Sequence, residues 1–423
     1  MDQHPDQQNL EKRAGSGRGA ATLVVGFLVL AIGFLSGWLL GGGGPAGNPP
    51  AGTQPPATQG AGSTTPQSGT ADWTKMDRIR NQIYELYDGP IEEQDLLEGA
   101  IKGMVGSLGD PYSQFYSAEE YAKLNEDNSG KFVGVGIQIN VQDDSIVVVA
   151  PIDGSPAKEA GIQSGDVIIR IDDEVYRGSD IDDAVSYMRG EEGTPVTLTI
   201  RRDEEEMDFT IVRREITTRS VRYEMLDGTI GYITLSQFTK DVDKDFEAAL
   251  DDLAAQGAQG YLLDLRGNPG GYLRESINIA SNFITRGEVI VSTQDKHQNK
   301  HEDISIGGDY IGTPLVVLID VGSASASEVV AGALKDYGAA TLVGTKTYGK
   351  GIVQTVMDLP DGEGLKLTVA SYYSPKGTNI HQIGIAPDIT VDYPEDLTVE
   401  NYTQEKDTQL QRGMEVLKEI MTE

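Results

Sequence analysis

Residues 21–40 read ATLVVGFLVLAIGFLSGWLL, 20 consecutive positions without a charged side chain. That is about the length an α-helix needs to cross the ~30 Å hydrocarbon core of a bilayer. A buried core helix of this length would carry a polar face, and this stretch has none. A cleaved secretion signal has an apolar stretch of only about 7–15 residues. The segment therefore predicts one uncleaved transmembrane helix. Lys12, Arg13 and Arg18 precede it, and the next basic residue is Lys75. The positive-inside bias makes residues 1–20 a cytoplasmic tail and puts everything after residue 40 outside. Residues 41–71 hold 15 Gly or Pro among 31 positions and no charge. Such a stretch is a linker, with a mean coil span of about 30 Å. The expected location is the cell membrane, single-pass, with the bulk of the chain extracytoplasmic.

The rest of the chain carries all of the formal net charge of -32, because residues 1–40 have three acidic and three basic groups and residues 41–71 have none. An acidic surface repels phosphate backbones, so no nucleic-acid partner is expected. The 423 residues contain no cysteine and four histidines. Thiolate nucleophiles, disulfides, Cys-ligated zinc and iron–sulfur clusters are thereby excluded.

Beyond the linker the hydrophobic period changes twice. Residues 72–131 form an N-terminal helical region, with Ile79, Ile83, Leu86 and Tyr87 on one helical face and a Gly-Asp-Pro turn at 109–111. Residues 132–216 are a β-rich module of short β-branched runs, with one helix at 181–188. Residues 217–395 alternate strand and helix: GTIGYITL, a helix at 242–255, QGYLLDLR, a helix at 274–284, PLVVLID and a helix at 326–337. That alternation implies an α/β core with a largely parallel sheet, and PLVVLID reads as a strand buried on both faces. In the last segment, 396–423, Leu410, Met414, Leu417 and Met421 share a helical face that needs a partner. Pairing of subunits in a homodimer is the expectation, packing on its own core the alternative.

Sites in open α/β sheets lie beyond the C-terminal ends of strands. Two such ends stand out, Arg266-Gly-Asn-Pro-Gly-Gly271 and Gly322-Ser-Ala-Ser-Ala-Ser-Glu328. In the second, Ser325 and Glu328 have the spacing of a capping box. The same geometry would set a serine nucleophile beside free backbone N–H groups able to stabilise an oxyanion. A nucleophilic serine needs a base. His4 precedes the anchor, and His297 and His301 lie in QDKHQNKHED, which reads as a solvated loop. That leaves His381, and no Gly-x-Ser-x-Gly elbow occurs. The other candidate is Lys350, flanked by Gly349 and Gly351. It would act as a base only if burial lowered its pKa by about 2–3 units. As an isolated feature it reads more readily as a surface lysine in a Gly-rich hairpin. The run Gly344–Lys350 begins like a phosphate-binding loop, but Gly351 replaces the Ser/Thr that would hold Mg²⁺. No metal-binding signature is present, and Gly134-Val-Gly136 lacks the third dinucleotide glycine.

Taken in order, LGDPYSQFYS, GSPAKEAGIQSGDVIIRID, LLDLRGNPGG, GSASASEVVAGALKD and YGKGIVQ resemble the carboxyl-terminal processing peptidases, tail-specific serine proteases with a PDZ domain. The resemblance runs from about residue 75 to the C-terminus. It implies an α/β protease core of the crotonase-like ββα type over 217–395, with an inserted PDZ domain over 132–216. It implies Ser325 as nucleophile, Lys350 as general base and Gln354 as the residue that orients the lysine. The Ala326 N–H, with one from Gly270 or Gly271, would form the oxyanion hole. Phe132, Val133, Gly134, Val135, Gly136 and Ile137 would form the carboxylate-binding loop of the PDZ domain. Expected partners are proteins or peptides taken by their C-termini, with the PDZ domain recognising substrate or gating the site. No cofactor and no metal are expected. The alternative is a non-catalytic PDZ scaffold in which Ser325 only caps a helix.

Overall fold

The computed structural model describes residues 72–422, apart from 395–396 and 399–400. The expected cytoplasmic tail, membrane helix and linker, residues 1–71, lie outside the described residues. Among the described residues no helix is long and apolar enough to cross a membrane.

Two helices come first. Thr74–Leu86 buries none of its residues and Glu93–Gly106 buries only Val105. The chain then turns at Gly109, lays down a short strand, Gln114–Tyr116, and enters the helix Ala118–Ser129. That helix starts on a reciprocal capping box between Ser117 and Glu120, and it stops at Gly130 with φ 68°.

A β-rich module follows. Its antiparallel sheet has the order Ile137–Gln142, Ser145–Pro151, Val167–Ile171, Pro195–Arg202, Glu205–Val212. Alternation puts Ile146, Val148, Ile168, Leu198 and Ile200 on the inner face, where Ala184 and Met188 of the helix Ile181–Met188 cover them. The flanking strands Lys131–Gly134 and Arg214–Thr217 pair with each other. The module therefore leaves and re-enters the remainder of the chain through one two-stranded neck, the geometry of an insertion.

The remaining chain builds two sheets. The first has the order Val221–Leu226, Ile230–Leu235, Gly260–Asp264, Leu315–Ile319, Thr341–Gly344, Ile389–Thr390. Only its first pair is antiparallel. In the central strand Leu315, Val317 and Ile319 point to one hydrophobic layer and Val316 and Leu318 to the other. The first layer is filled by Phe246, Leu250 and Leu253 of the helix Val242–Gln256, Ile279 of Leu273–Ser281, and Val330 and Leu334 of Ala326–Tyr337. The second sheet was not apparent in the sequence. It is antiparallel, and it joins Gln114–Tyr116, Gly364–Tyr373, Val289–Asp295 and Lys300–Ile304, with Ile352–Asp358 also on Gly364–Tyr373. His301 consequently lies on an exposed strand beside Asp303, at 3.3 Å, rather than in a loop.

The opposite face of the first sheet is covered by the C-terminal helix, Thr408–Thr422. Leu410, Val416 and Leu417 pack on Leu262, Val316, Leu318 and Val343. The helix comes close because Gly413 has no side chain: a Cβ there would lie 2.9 Å from Leu318. A buried ionic cluster fastens its start. Arg266 donates to Asp264 at 2.6 Å, to Asp407 at 2.9 Å and to Gln409 at 3.1 Å. Asp407 also accepts the Leu410 N–H. The expectation that this helix pairs subunits is thus corrected, since its apolar face is consumed by its own core. Truncating Leu417 to Ala, fully buried in that contact, will cost about 2–5 kcal/mol. Exposed Glu419→Ala should change stability by less than about 0.5 kcal/mol in the same urea denaturation.

Candidate active site

The parallel strands Gly260–Asp264 and Leu315–Ile319 are neighbours, so their C-terminal ends lie side by side. The two loops that leave them are stitched together. Gly267 N–H donates to Asp320 Oδ1 at 2.8 Å, and the Asn268 carbonyl accepts both Ala324 N–H and Ser327 Oγ–H. Ser323 Oγ–H donates to the Leu265 carbonyl at 2.8 Å. Gly322 sits so close that a Cβ would lie 2.7 Å from Gly267 Cα.

Ser325 stands at the end of this loop with φ 54° and ψ -105°. That is outside the left-handed helical region as well as the common ones, a strained conformation for a residue with a Cβ. The side chain is 1% exposed, and its Oγ has no hydrogen-bond partner. It therefore does not cap the helix Ala326–Tyr337. Only half of the expected capping box forms: Ser325 N–H donates to Glu328 Oε2 at 2.8 Å. Ala326 begins the helix, where N–H groups have no intrahelical acceptor.

Glu328 is fully buried and does more than receive that bond. Its carboxylate also accepts Thr347 Oγ1–H at 2.6 Å, Gly349 N–H at 2.7 Å and Lys350 N–H at 2.8 Å. Burial pushes its pKa up, and these hydrogen bonds oppose the rise. One side chain thus ties the backbone of Ser325 to the backbone of Lys350. The loop around Lys350 is further set by Tyr348 N–H on the Ser323 carbonyl and by Gln382 N–H on the Gly349 carbonyl. Gly351 admits no side chain, since a Cβ would lie 2.1 Å from His381 N.

Lys350, half-buried, is the base candidate that the sequence left open. Its Nζ lies 4.8 Å from the ring centre of Tyr112. Burial, then repulsion from Lys366, brings its pKa down to about 8, against the opposing pull of Asp110 and Glu328. Gln354 is fully buried, and its Nε2 donates to the Tyr112 carbonyl at 2.7 Å. Because Ser325 Oγ is unpartnered, neither a Ser325–Lys350 nor a Ser325–His381 hydrogen bond is formed. His381 lines a cavity of ≈510 Å³ with Asp110, Tyr112, Tyr348 and Thr368.

The two glycines read as oxyanion donors separate. Gly270 N–H donates to Asn268 Oδ1 at 2.8 Å. Gly271 keeps its N–H clear of such a bond, and its φ of 144°, with Phe238 O only 2.1 Å from any Cβ, requires glycine. The residues expected to cradle a carboxylate are not one loop. Phe132, Val133 and Gly134 belong to the paired strand Lys131–Gly134, so that part is corrected. Val135 is buried, and Gly136 turns with φ 80°. The Gly136 carbonyl accepts Ile152 N–H and Ser155 Oγ–H. Ile137 opens the strand Ile137–Gln142, which is paired on one side only, with Ser145–Pro151. That leaves a sheet edge able to accept an added strand. The sequence reading missed the bracing by Glu328 and the contributions of Asp110, Tyr112 and Lys366, although Asp110 and Tyr112 stand in the quoted run LGDPYSQFYS.

Comparison with known proteins gives three family matches: Peptidase family S41 over residues 229–391, PDZ domain over 147–202, and Activating protease CtpB N-terminal domain over 51–120. A carboxy-terminal-processing protease of Bartonella bacilliformis is 43% identical, over 75% of this chain and 74% of its own length. The carboxy-terminal processing protease CtpA of Bacillus subtilis is 36% identical, over 79% of this chain and 72% of its own. A solved structure from Bacteroides fragilis, described as an S41 protease, is 20% identical and matches in fold with a TM-score of 0.53, covering 82% of this chain and 97% of that one.

Replacing Glu328 by Gln keeps the shape but puts an amide NH₂ where backbone N–H groups point. At least one buried donor then loses its acceptor, a loss of about 2 kcal/mol or more. Urea denaturation of Glu328→Gln beside the unaltered protein measures it.

Proposed function

The chain belongs to the carboxy-terminal processing proteases, serine-type peptidases built from an S41 core, a PDZ domain and an N-terminal helical region, and on that premise we propose that it cleaves extracytoplasmic proteins near their C-termini by a Ser-Lys mechanism. In this reading Lys350 Nζ, neutral, takes the proton of Ser325 Oγ. The oxygen attacks the scissile carbonyl, and the Ala326 and Gly271 N–H groups hold the oxyanion. Lys350 returns the proton to the departing amine, leaving an acyl-enzyme on Ser325. Water, deprotonated by the same lysine, then releases the acyl group. Gln354 positions the lysine. The core takes the crotonase-like arrangement.

The observation that carries this reading is the pairing of a strained, buried, unbonded serine with a lysine whose pKa has fallen to about 8, both hung from Glu328. A serine kept only to cap its helix would use its Oγ for that purpose. The open Ser325–Lys350 contact supports a resting site that closes when substrate arrives. The PDZ domain would supply that signal by adding the substrate's tail as a strand beside Ile137–Gln142, with its carboxylate near 135–137. Residues 21–40 would anchor the protein in the cell membrane, N-terminus inside, and the acidic remainder would stand off the anionic lipid surface.

Proteolysis of an unfolded β-casein-type substrate tests the mechanism. Ser325→Ala and Lys350→Ala should each lower kcat/KM by at least about 10³-fold, and equal rates in all three proteins would reject it. The pH dependence has a definite sign. The neutral amine is the active form, so kcat/KM should climb about tenfold per pH unit below pH 8 and level off above it. A substrate with an amidated C-terminus should be cut more slowly than its free-acid twin if the tail carboxylate is read.

A further inference from the structure

The loop between Asp264 and Gly271 contains a fully buried polar side chain that the mechanism leaves without a task. Asn268 has both ends of its carboxamide bonded. Its Oδ1 accepts the N–H of Gly270, two residues on, in an Asx turn across Pro269. Its Nδ2 donates at 2.7 Å to the carbonyl of Leu235, the last residue of the strand Ile230–Leu235. These partners fix the orientation of the amide, because a flip would set NH₂ against N–H and oxygen against carbonyl. The main-chain carbonyl of Asn268 reaches the other loop, where it accepts Ala324 N–H at 3.0 Å and Ser327 Oγ–H at 2.9 Å.

What these bonds anchor is the path of the chain at Gly271. Phe238 N–H donates to the Gly270 carbonyl, and Tyr272 N–H donates to the Phe238 carbonyl, both at 2.8 Å. Gly271 is thereby bridged to Phe238 in parallel register. In such a bridge the middle residue's own N–H and C=O point away from its partner. Gly270, with φ 107°, and Gly271, with φ 144°, adopt conformations that strain any residue with a Cβ. Two successive glycines are also where a peptide plane turns over most easily, and turning the 270–271 plane would put a carbonyl where the Gly271 N–H now is. Phe238 holds that plane directly. Asn268 holds the plane before it, and its tether at Leu235 lies three residues ahead of Phe238, so both anchors belong to one stretch of chain.

We propose that Asn268 is a positioning residue for the reaction, one that holds the Gly271 N–H toward the oxyanion formed when Ser325 attacks. This rests on the Ser-Lys reading, with Gly271 and Ala326 as the donors. Asn268 joins the three parts whose separation decides that contact: the strand end at Leu235, the glycine pair and, through its carbonyl, the loop that ends in Ser325. An apolar side chain of the same size would leave the Gly270 N–H and the Leu235 carbonyl buried without partners. A carboxylate would keep the first bond and set an oxygen against the Leu235 carbonyl.

Steady-state cleavage of a β-casein-type substrate by the full-length protein in detergent decides it, with Asn268→Ala, Asn268→Asp and Ser325→Ala. An oxyanion contact exists only in the transition state, so Asn268→Ala should lose kcat about 10²-fold while KM stays within about twofold. Asn268→Asp, which keeps the acceptor for Gly270 N–H, should lose about tenfold. The acid limb of the pH profile should not move in either variant, because Lys350 is untouched. A peptide aldehyde, which closes to a tetrahedral adduct on Ser325, should lose affinity by about the same factor as kcat, and the matching peptide alcohol should bind as before. An unchanged kcat in a folded variant overturns the proposal. So does a loss carried by KM or by a displaced limb, which would make Asn268 a general support of the fold. Asn268→Asp decides alone if urea denaturation shows that Asn268→Ala does not fold, and if neither folds Asn268 is structural and the proposal is lost. Full activity in Ser325→Ala would instead reject the Ser-Lys reading, a separate failure.

Discussion

One buried carboxylate holds the frame on which the site depends. Glu328 receives the backbone of Ser325 from its own helix and the backbones of Gly349 and Lys350, with the Thr347 hydroxyl, from a loop about 20 residues on. Ser325 and Lys350 come from different elements, and nothing in local sequence fixes their separation. A shared acceptor does, because charge-assisted hydrogen bonds in a dry site tolerate little displacement. The same bond holds Ser325 N–H on the Glu328 carboxylate, just before the helix that Ala326 begins.

Around that frame the protein arranges an unusual distribution of protons. Burial lowers the pKa of two lysines, that of Lys350 also by repulsion from Lys366, while Asp110 opposes both shifts and the tyrosines beside them have theirs raised. All of these groups except Lys350 come from the segment 110–116 or from the second sheet. The N-terminal region is therefore part of the candidate site, since its strand joins the second sheet and its tyrosines lie against the two lysines. The module between the two regions hangs on a two-stranded neck. The Phe132 ring of that neck lies 5.2 Å from Arg189, which in turn pairs with Glu126 at 3.1 Å and with Asp127 at 3.5 Å. The β-rich module and the N-terminal region are thus in direct ionic contact.

Much of this was legible residue by residue. PLVVLID reads as a two-sided strand because it is nearly all apolar, and alternate side chains do enter two layers. The helices 181–188 and 326–337 were read with the boundaries they have, since an apolar period and helix-start residues coincide there. The second antiparallel sheet was missed because its strands are polar on one face and its partners lie up to about 250 residues apart, as in Gln114 with Lys366. His301 was read as a loop residue for the same reason. The capping-box spacing of Ser325 and Glu328 was visible, but that the Glu328 carboxylate also accepts the backbone of Lys350 is a contact that only the folded chain brings about.

The sequence by itself determined the order of parts, the strand ends that carry chemistry, and the identity of Ser325 and Lys350 as the pair to test. Those features are local: a hydrophobic period, a turn signal, a motif, and the absence of any cysteine to compete for the role. Tertiary structure alone decided three further matters. It spent the Gly270 N–H on Asn268 and spared that of Gly271. It laid the C-terminal helix on its own core rather than on a second copy. It also set Lys366 against Tyr116, which requires strands from both ends of the chain to share one sheet. Each is a competition between groups distant in sequence for one hydrogen bond, one apolar face or one charge, and such competitions are resolved only when the chain has closed.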